Sequence, residues 1–458
     1  MPAKNGARRV LLVGSGSREH AIGWTLRRSP RLGELYALPG NPGLEEVARR
    51  VPWPQDGVEG VARWAEEHGV DLVVVGPEAP LAQGLADRLA ERGVPCLGPS
   101  QAAARIESSK GFAKEVMAEA GVPTARARAF DSLEDALGAL ATWALPLVVK
   151  ADGLASGKGV RVCRERAEAR AFLEEVMSRG RFGEAGRRVL LEECLEGEEL
   201  SYFVLTDGRG VLRLGAARDH KRLMEGDRGP NTGGMGAVSL PGLAPGGLEE
   251  EILERIVRPA LAALEERGTP YRGVLYAGLM LTREGPKVVE FNARLGDPEA
   301  QVLLPRLEED LLELFWRAAT GELDGGTARL SPETAVGVVL ADAGYPDDPQ
   351  EGAPLQAAEA FRNAGTIRAA TGAAGQAYGP PEVPKRLLFH GATRTKGDRL
   401  VSGGGRVLTA VGFGEDLDQA RSEAYGLVEE VRWPGAVYRR DIAVRPGADL
   451  RFLRRPHP

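Results

Sequence analysis

The sequence predicts a multidomain protein of mixed α/β and α+β class. It has a parallel α/β domain at the N-terminus, a central unit built round a glycine-rich hairpin, and an α+β domain at the C-terminus. Three observations carry this. From Arg9 to Leu97, apolar strand runs alternate with helical spacing, the pattern of a parallel sheet. At Leu147-Val148-Val149, a buried-strand run enters a loop with three glycines and leaves it as the alternating Val160-Arg161-Val162-Cys163. After Leu330, the apolar run Ala335–Leu340 opens a further unit. At roughly 150 residues per domain, 458 residues suit three domains, expected at 1–107, 108–330 (with a flexible subdomain at about 123–194) and 331–458.

In the first domain, the strand Arg9–Val13 opens onto Gly14-Ser15-Gly16-Ser17-Arg18-Glu19-His20, with helical spacing behind it. This departs from a dinucleotide fingerprint twice. Glu19 stands where the third glycine belongs, and the next strand, Leu35–Leu38, ends in Pro39-Gly40-Asn41 rather than an acid. The turn is expected to cradle a phosphate at a helix N-terminus; binding of a nicotinamide dinucleotide is the alternative. A third strand, Asp71–Val75, ends at Gly76-Pro77-Glu78. All three loops lie at strand C-terminal ends, where open α/β sheets bind ligands. Glu78 is a hydrogen-bond acceptor for hydroxyls or an amine there, or else a helix-capping acid.

The central unit starts at Ser108-Ser109-Lys110, the lysine opening a helix against the dipole, which a phosphate nearby would explain. The loop Lys150–Val160 is not a P-loop: three residues separate Gly153 from Gly157, Gly159 follows Lys158, and a strand rather than a helix comes next. Its free backbone N–H groups and its two lysines suit a flap closing over a nucleotide triphosphate, although a flexible hairpin has the same pattern. The strand Arg188–Leu191 ends in Glu192-Glu193-Cys194-Leu195, with Glu199 beyond. This fits a nucleotide hinge, or an exposed acidic turn. Asp219-His220-Lys221-Arg222, followed by Gly229–Gly236, makes a second anion site or a solvated loop. On Lys287–Glu299, period-two alternation puts Glu290, Asn292 and Arg294 on one strand face. A carboxylate, an amide and a guanidinium there suit Mg²⁺ bridging phosphates; a surface stripe is the bland alternative. In the third unit, strands are expected at Lys385–His390, around Gly403–Leu408 and near Tyr438–Ile442, with a helix near Leu417–Val431. The Ala-, Gly- and Pro-rich stretch 357–384 has no clear periodicity.

Composition narrows the class of ligand. A net charge of −6 and a pI near 5.7 argue against a nucleic-acid binder, whose binding face is normally basic. Cys96, Cys163 and Cys194 have no metal or disulfide spacing and are expected to be reduced thiols. No apolar run reaches the ~18 residues of a membrane span, so a soluble, cytoplasmic protein is expected.

Gly14–His20, Pro39-Gly40-Asn41, Gly76–Leu81, Lys150–Val160, Asp219–Arg222, Gly229–Gly236 and Glu290–Glu299 occur in an order that resembles the phosphoribosylamine–glycine ligase family, also called glycinamide ribonucleotide synthetases, over about residues 9–442. The resemblance implies an ATP-grasp core and ATP-dependent joining of glycine to 5-phosphoribosylamine through glycyl phosphate, a step of de novo purine biosynthesis. It implies that Lys110, Lys150, Gly157, Lys158 and Gly159 hold the ATP phosphates. Glu192, Glu193, Cys194, Leu195 and Glu199 would hold adenosine, and Glu290 and Asn292 would bind Mg²⁺ or Mn²⁺. Arg294 would neutralise the glycyl phosphate, and Asp219 would hold the glycine ammonium, with Lys150 and Lys158 counted among the catalytic groups. Gly16, Ser17, Arg18, Glu19, Asn41 and Glu78 would meet phosphoribosylamine. Asn231, Thr232, Gly233, Met235 and Asp297 would lie at the substrates. The expected assembly is a monomer or weak dimer. Departures are Ser17 for a usual glycine, Cys194 for a usual aromatic, and His390-Gly391-Ala392-Thr393 for the usual His-Ala-Gly-Thr. Leu279 and Met280, which cannot coordinate a metal, agree with the family.

Overall fold

Alternation along one strand shows how the first domain is built. In Arg8–Gly14, Val10 and Leu12 pack into one core and Leu11 and Val13 into another, because successive side chains leave a sheet on opposite faces. The computed structural model describes residues 7–155, 157–356 and 383–444; the stretch 357–384 lies almost wholly outside these. Five parallel strands form the N-terminal sheet, in the order Arg49–Arg50, Leu32–Pro39, Arg8–Gly14, Leu72–Val75, Cys96–Leu97. Leu81, Leu85 and Leu89 stand at helical spacing, yet they fall in two helices, Glu78–Ala82 and Leu85–Glu91. The break falls at Gly84, whose φ of 84° is a left-handed value that favours glycine.

The glycine hairpin belongs to a four-stranded antiparallel sheet, ordered Ala127–Phe130, Val189–Glu193, Leu147–Ala151, Val160–Cys163. Here too period two decides the layout. Leu147, Val149 and Ala151 face a core with Phe130, Phe172 and Leu173, whereas Val148 and Lys150 line a cavity on the other side. This subdomain is the lid. Its chain enters at Thr124, which bridges to Val288, and leaves through Glu193.

Beneath it, a nine-stranded sheet starts with Gly285–Asn292 and Gly273–Thr282, continues through Glu198–Thr206 and Val211–Asp219, and crosses by Gly236–Ser239 into Thr334–Ala341, Arg406–Gly414 and Arg386–His390, while the short Gly326–Thr327 pairs parallel with Val211–Asp219. The third unit is thus hydrogen-bonded to the second: Gly236–Ser239 pairs antiparallel with Thr334–Ala341. Sequence reading anticipated neither Glu198–Thr206 nor Val211–Asp219 as strands, although Leu200–Thr206 carries both the apolar content and the β propensity. The C-terminal helix is Leu417–Glu430. No strand forms at Tyr438–Ile442. Val437, just before it, makes an isolated bridge to Ala341, Ile442 packs into the core against Val336 and Val338, and the buried Arg439 is held by Asp227 and Asp441.

Candidate active site

A cavity of about 460 Å³ lies between the lid, the large sheet and the loops of the N-terminal domain. Among the expected residues, Arg18, Glu78, Lys110, Lys150, Gly157, Gly159, Glu192, Glu193, Cys194, Leu195, Glu199, Asp219, Asn231, Thr232, Gly233, Glu290, Asn292, Arg294 and Asp297 all line it. Gly16, Ser17, Glu19, Asn41, Lys158 and Met235 do not.

Lys110 opens the helix Lys110–Glu119, and a carboxylate resolves its clash with the dipole: Asp152 accepts from the Gly111 N–H at 2.6 Å and from Ser109 Oγ at 3.2 Å. The lysine itself turns toward the hairpin, donating to the Gly153 carbonyl at 3.1 Å. Burial lowers its pKa, against the attraction of Glu290. Lys150 Nζ lies 2.9 Å from Glu192 Oε2 and donates to the Val289 carbonyl at 3.0 Å. That carbonyl is available because the pairing of Gly285–Asn292 slips at this point: Gly278 faces Glu290 and Leu279 faces Val288, leaving Val289 as a bulge. Glu192 is 2 % exposed and takes a second cation, Lys114, at 3.3 Å, while its Oε1 is buried without a protein partner.

The strand with Glu290 and Asn292 ends at Asn292, so Arg294 does not share its face by strand alternation. The following bend still brings the guanidinium to the cavity, where it ion-pairs with Glu107 at 2.8 Å and Glu78 at 3.2 Å. Burial opposes ionisation of Glu78, but Arg294 and Arg18 hold its pKa down at about 2. Burial likewise opposes charge on Glu290, which Lys221, Lys150, Lys110 and Arg294 nevertheless keep ionised below the usual carboxylate range.

The donor atoms of the site bear on metal binding. Among the described residues, no three His, Cys, Asp or Glu side chains cluster as a complete cage. An ionised carboxylate two residues from a buried amide is an incomplete set of oxygen ligands, and the unpartnered Asn292 Nδ2 is a donor that seeks an acceptor such as a phosphate oxygen. Mg²⁺ accepts such a set, since it is held by one or two protein ligands with water and phosphate completing the octahedron. The residues fit a divalent cation bound together with a polyphosphate.

Asp219 ends the strand Val211–Asp219 with one carboxylate oxygen buried and unpartnered. Burial raises its pKa well above the ordinary value, Lys221 opposes this, and Glu299 and Glu199 add to it. An incoming ammonium would relieve that cost. Lys221 Nζ lies 3.2 Å from Glu199. The loop Asn231–Gly236 folds on itself, Thr232 Oγ1 accepting from the Gly234 N–H at 3.0 Å. The loop reaches the lid: a side chain at Gly157 would begin 3.1 Å from the Thr232 carbonyl. Met235 is fully buried and does not line the cavity.

The first loop is braced from two directions. Glu19 caps its own helix, accepting from the Gly16 N–H at 2.6 Å, and pairs with Arg18 Nε at 2.6 Å. Its carboxylate fills the space beside Gly14 and Gly76, where a dinucleotide fingerprint would have a glycine. Asn41 Nδ2 donates to the Ser15 and His390 carbonyls at 2.9 and 2.8 Å, and Ser17 Oγ donates to the Phe389 carbonyl at 3.4 Å. These side chains fasten the loop to the C-terminal domain, and Arg18 and Glu78 are the groups that reach the cavity.

Sequence reading passed over Glu107, Lys114, Tyr276 and Arg406. Arg406 comes from the C-terminal domain and donates to the Gly233 and Asp297 carbonyls, both at 2.5 Å. It opens the strand Arg406–Gly414, within the stretch expected as a strand around Gly403–Leu408, but nothing local revealed that its side chain meets the central unit. The three cysteines are free, with Cys163 buried and Cys96 and Cys194 half-buried.

A two-sided lid of four antiparallel strands over a sheet that carries cations and a carboxylate–amide pair defines an ATP-grasp fold. The chain matches three family models in succession: the phosphoribosylglycinamide synthetase N domain at residues 8–107, its ATP-grasp (A) domain at 108–300 and its C domain at 335–445. It is 44% identical over 437 residues to a phosphoribosylamine–glycine ligase of Rhizobium meliloti (strain 1021), covering 95% of this chain and 98% of that one. It is 45% identical over 438 residues to that of Caulobacter vibrioides, with the same coverages. A crystal structure of phosphoribosylamine–glycine ligase from Thermotoga maritima superposes with a TM-score of 0.78 at 34% identity, over 95% of this chain and 100% of that one. The chain belongs to the phosphoribosylglycinamide synthetase family. The biotin carboxylase domain of a Hydrogenobacter thermophilus 2-oxoglutarate carboxylase shares the fold, with a TM-score of 0.69 at 17% identity over 94% of this chain and 91% of that one.

Proposed function

We propose that the protein joins glycine to 5-phosphoribosylamine with ATP, yielding glycinamide ribonucleotide, ADP and phosphate, as a step of de novo purine biosynthesis. The observation that carries this is one cavity holding two sets of groups. Lys110, Lys150, Lys221 and Arg294 surround Glu290 under the glycine hairpin, and Arg18 and Glu78 reach the same space from the N-terminal loops. High-coverage relatives named for this reaction support the reading.

A glycine carboxylate oxygen attacks the γ-phosphorus of ATP, the bond to the β-phosphate oxygen breaks, and ADP leaves. The amine of phosphoribosylamine then attacks the acyl carbon of glycyl phosphate, the carbon–oxygen bond breaks, and phosphate leaves as the amine loses its proton. Lys110, Lys150 and the hairpin with Gly157, Lys158 and Gly159 hold the phosphates. The free oxygen of Glu192 suits an exocyclic amine of adenine, beside the backbone of Glu193–Leu195, with Glu199 at the ribose. Glu290 and Asn292 would hold Mg²⁺ or Mn²⁺, which would neutralise phosphate charge when bound. Arg294 faces the acyl phosphate, and the unpartnered oxygen of Asp219 takes the glycine ammonium. Asn231, Thr232, Gly233 and Asp297 lie between the substrates. Phosphoribosylamine sits on the loop Gly16–Glu19 near Asn41, contacted by Arg18, Glu78 and backbone. Catalysis is positioning and charge neutralisation. We assign the chain to the cytoplasm as a monomer or weak dimer acting on small molecules.

The test supplies freshly generated phosphoribosylamine with each amino acid in turn and follows ADP. Glycine alone is expected to give turnover; equal turnover with another amino acid, or none with glycine, overturns the assignment.

A further inference from the structure

Lys114 has no part in the reaction as described, yet it stands where the lid joins the base. It lies on the base helix Lys110–Glu119, one turn beyond Lys110. Its ammonium donates to Thr124 Oγ1 and to the Ala125 carbonyl, both at 2.9 Å, where the chain enters the lid. It also lies 3.3 Å from Glu192 Oε2, on the strand by which the chain leaves the lid. Thr124 in turn donates to the Val288 carbonyl at 2.7 Å, on the strand that carries Glu290. One side chain thus fastens both crossings of the lid to the base.

The same carboxylate oxygen holds Lys150 at 2.9 Å. Lys150 is the lid's phosphate ligand in the proposed function, so it must exchange Glu192 for a phosphate oxygen when nucleotide binds. A carboxylate with a single counter-cation would retain it. Shared between two, it holds each less tightly, because the lysines repel each other; burial, and then the charge of Lys150, oppose protonation of Lys114, whose pKa falls to about 8.

We infer that Lys114 is a positioning residue. It keeps Glu192 neutralised and in place, so that Lys150 is released to the nucleotide without leaving a buried carboxylate uncompensated. This rests on the reading of the cavity as an ATP site.

The test is equilibrium binding of ATP with Mg²⁺ to the full chain by isothermal titration calorimetry, on wild type, Lys114→Met, Lys114→Arg, Glu192→Gln and the double variant Lys114→Met/Glu192→Gln. Lys114→Met should weaken binding by about tenfold, a coupling normal for contacting charges. Lys114→Arg should recover most of the loss. In the double variant the trap is gone, so binding should return to within roughly threefold of Glu192→Gln alone. Melting temperatures identify any variant that has lost its fold. A purely structural lysine predicts losses that add, making the double variant the weakest binder; that result, or wild-type affinity in Lys114→Met, overturns the inference. Absence of ATP binding in wild type would instead overturn the reading of the cavity.

Discussion

Replacing Arg294 by methionine removes the cation that two buried carboxylates share. Glu107 Oε1 lies 2.8 Å and Glu78 Oε2 3.2 Å from it, with side chains 7% and 24% exposed. The fall of the Glu78 pKa from an ordinary 4.5 to about 2 corresponds to roughly 3 kcal/mol of stabilisation. Arg294 is the largest of the influences that lower it, ahead of Arg18 and a backbone hydrogen bond, so removing Arg294 forfeits part of that figure and not all of it. Glu107 adds to the deficit, since burial already raises its pKa and Arg294 opposes that. The sign follows from the direction of each shift. A depressed carboxylate stabilises the fold fully above its unfolded pKa, and the effect fades as pH falls from 4.5 toward 2. In the variant, Glu107 is left buried without its cation and regains stability by taking up a proton. Both effects make the variant's deficit greatest near neutrality and smaller in acid. Melting temperatures of wild type and Arg294→Met, measured at intervals from pH 7 to pH 3, should converge on acidification. A gap that stays constant or widens toward pH 3 would refute the charge argument and leave only lost packing.

Other outcomes follow from the same geometry. Glu290→Gln should slow ADP formation by roughly three orders of magnitude, the scale of the several kcal/mol a positioned metal supplies; near-normal turnover at saturating Mg²⁺ would remove Glu290 from the site. Arg18→Ala should raise the apparent KM for phosphoribosylamine far more than that for ATP, and an equal rise in both would mean that the first loop is not the sugar-phosphate site. Gly157 has a φ of 76°, so Gly157→Ala should cost about 1–2 kcal/mol in the conformation that meets Thr232. Steady-state kinetics should show this as a five- to thirty-fold loss in kcat/KM for ATP, roughly the ratio that energy implies.

Much of this was legible in the sequence, for a physical reason. The hairpin loop, the N-terminal strands and the Glu290–Asn292 pair are local patterns, in which period two and glycine placement dictate geometry within a few residues. The bulge at Val289 was not legible, although it shapes the site by presenting a carbonyl to Lys150. A register slip depends on the partner strand, and the alternation rule carried Arg294 onto a strand that ends two residues earlier. Ser17 and Asn41 read as substrate groups because their loop does, but their side chains are committed to the carbonyls of Phe389 and His390, hundreds of residues away. Glu107, Lys114 and Arg406 were missed because their roles arise only from tertiary contact. Glu19 shows the opposite case: its departure from the glycine pattern was visible, and the structure supplies the reason, a carboxylate that caps the helix.

The central claim is that a triphosphate is held between the hairpin and the strand bearing Glu290. A crystal structure with a non-hydrolysable ATP analogue and Mg²⁺ tests it most directly. The claim predicts phosphates among Lys110, Lys150 and Glu290, with adenine beside Glu192–Leu195. Nucleotide bound instead behind Val13, on the Gly14–Gly16 turn, would contradict it.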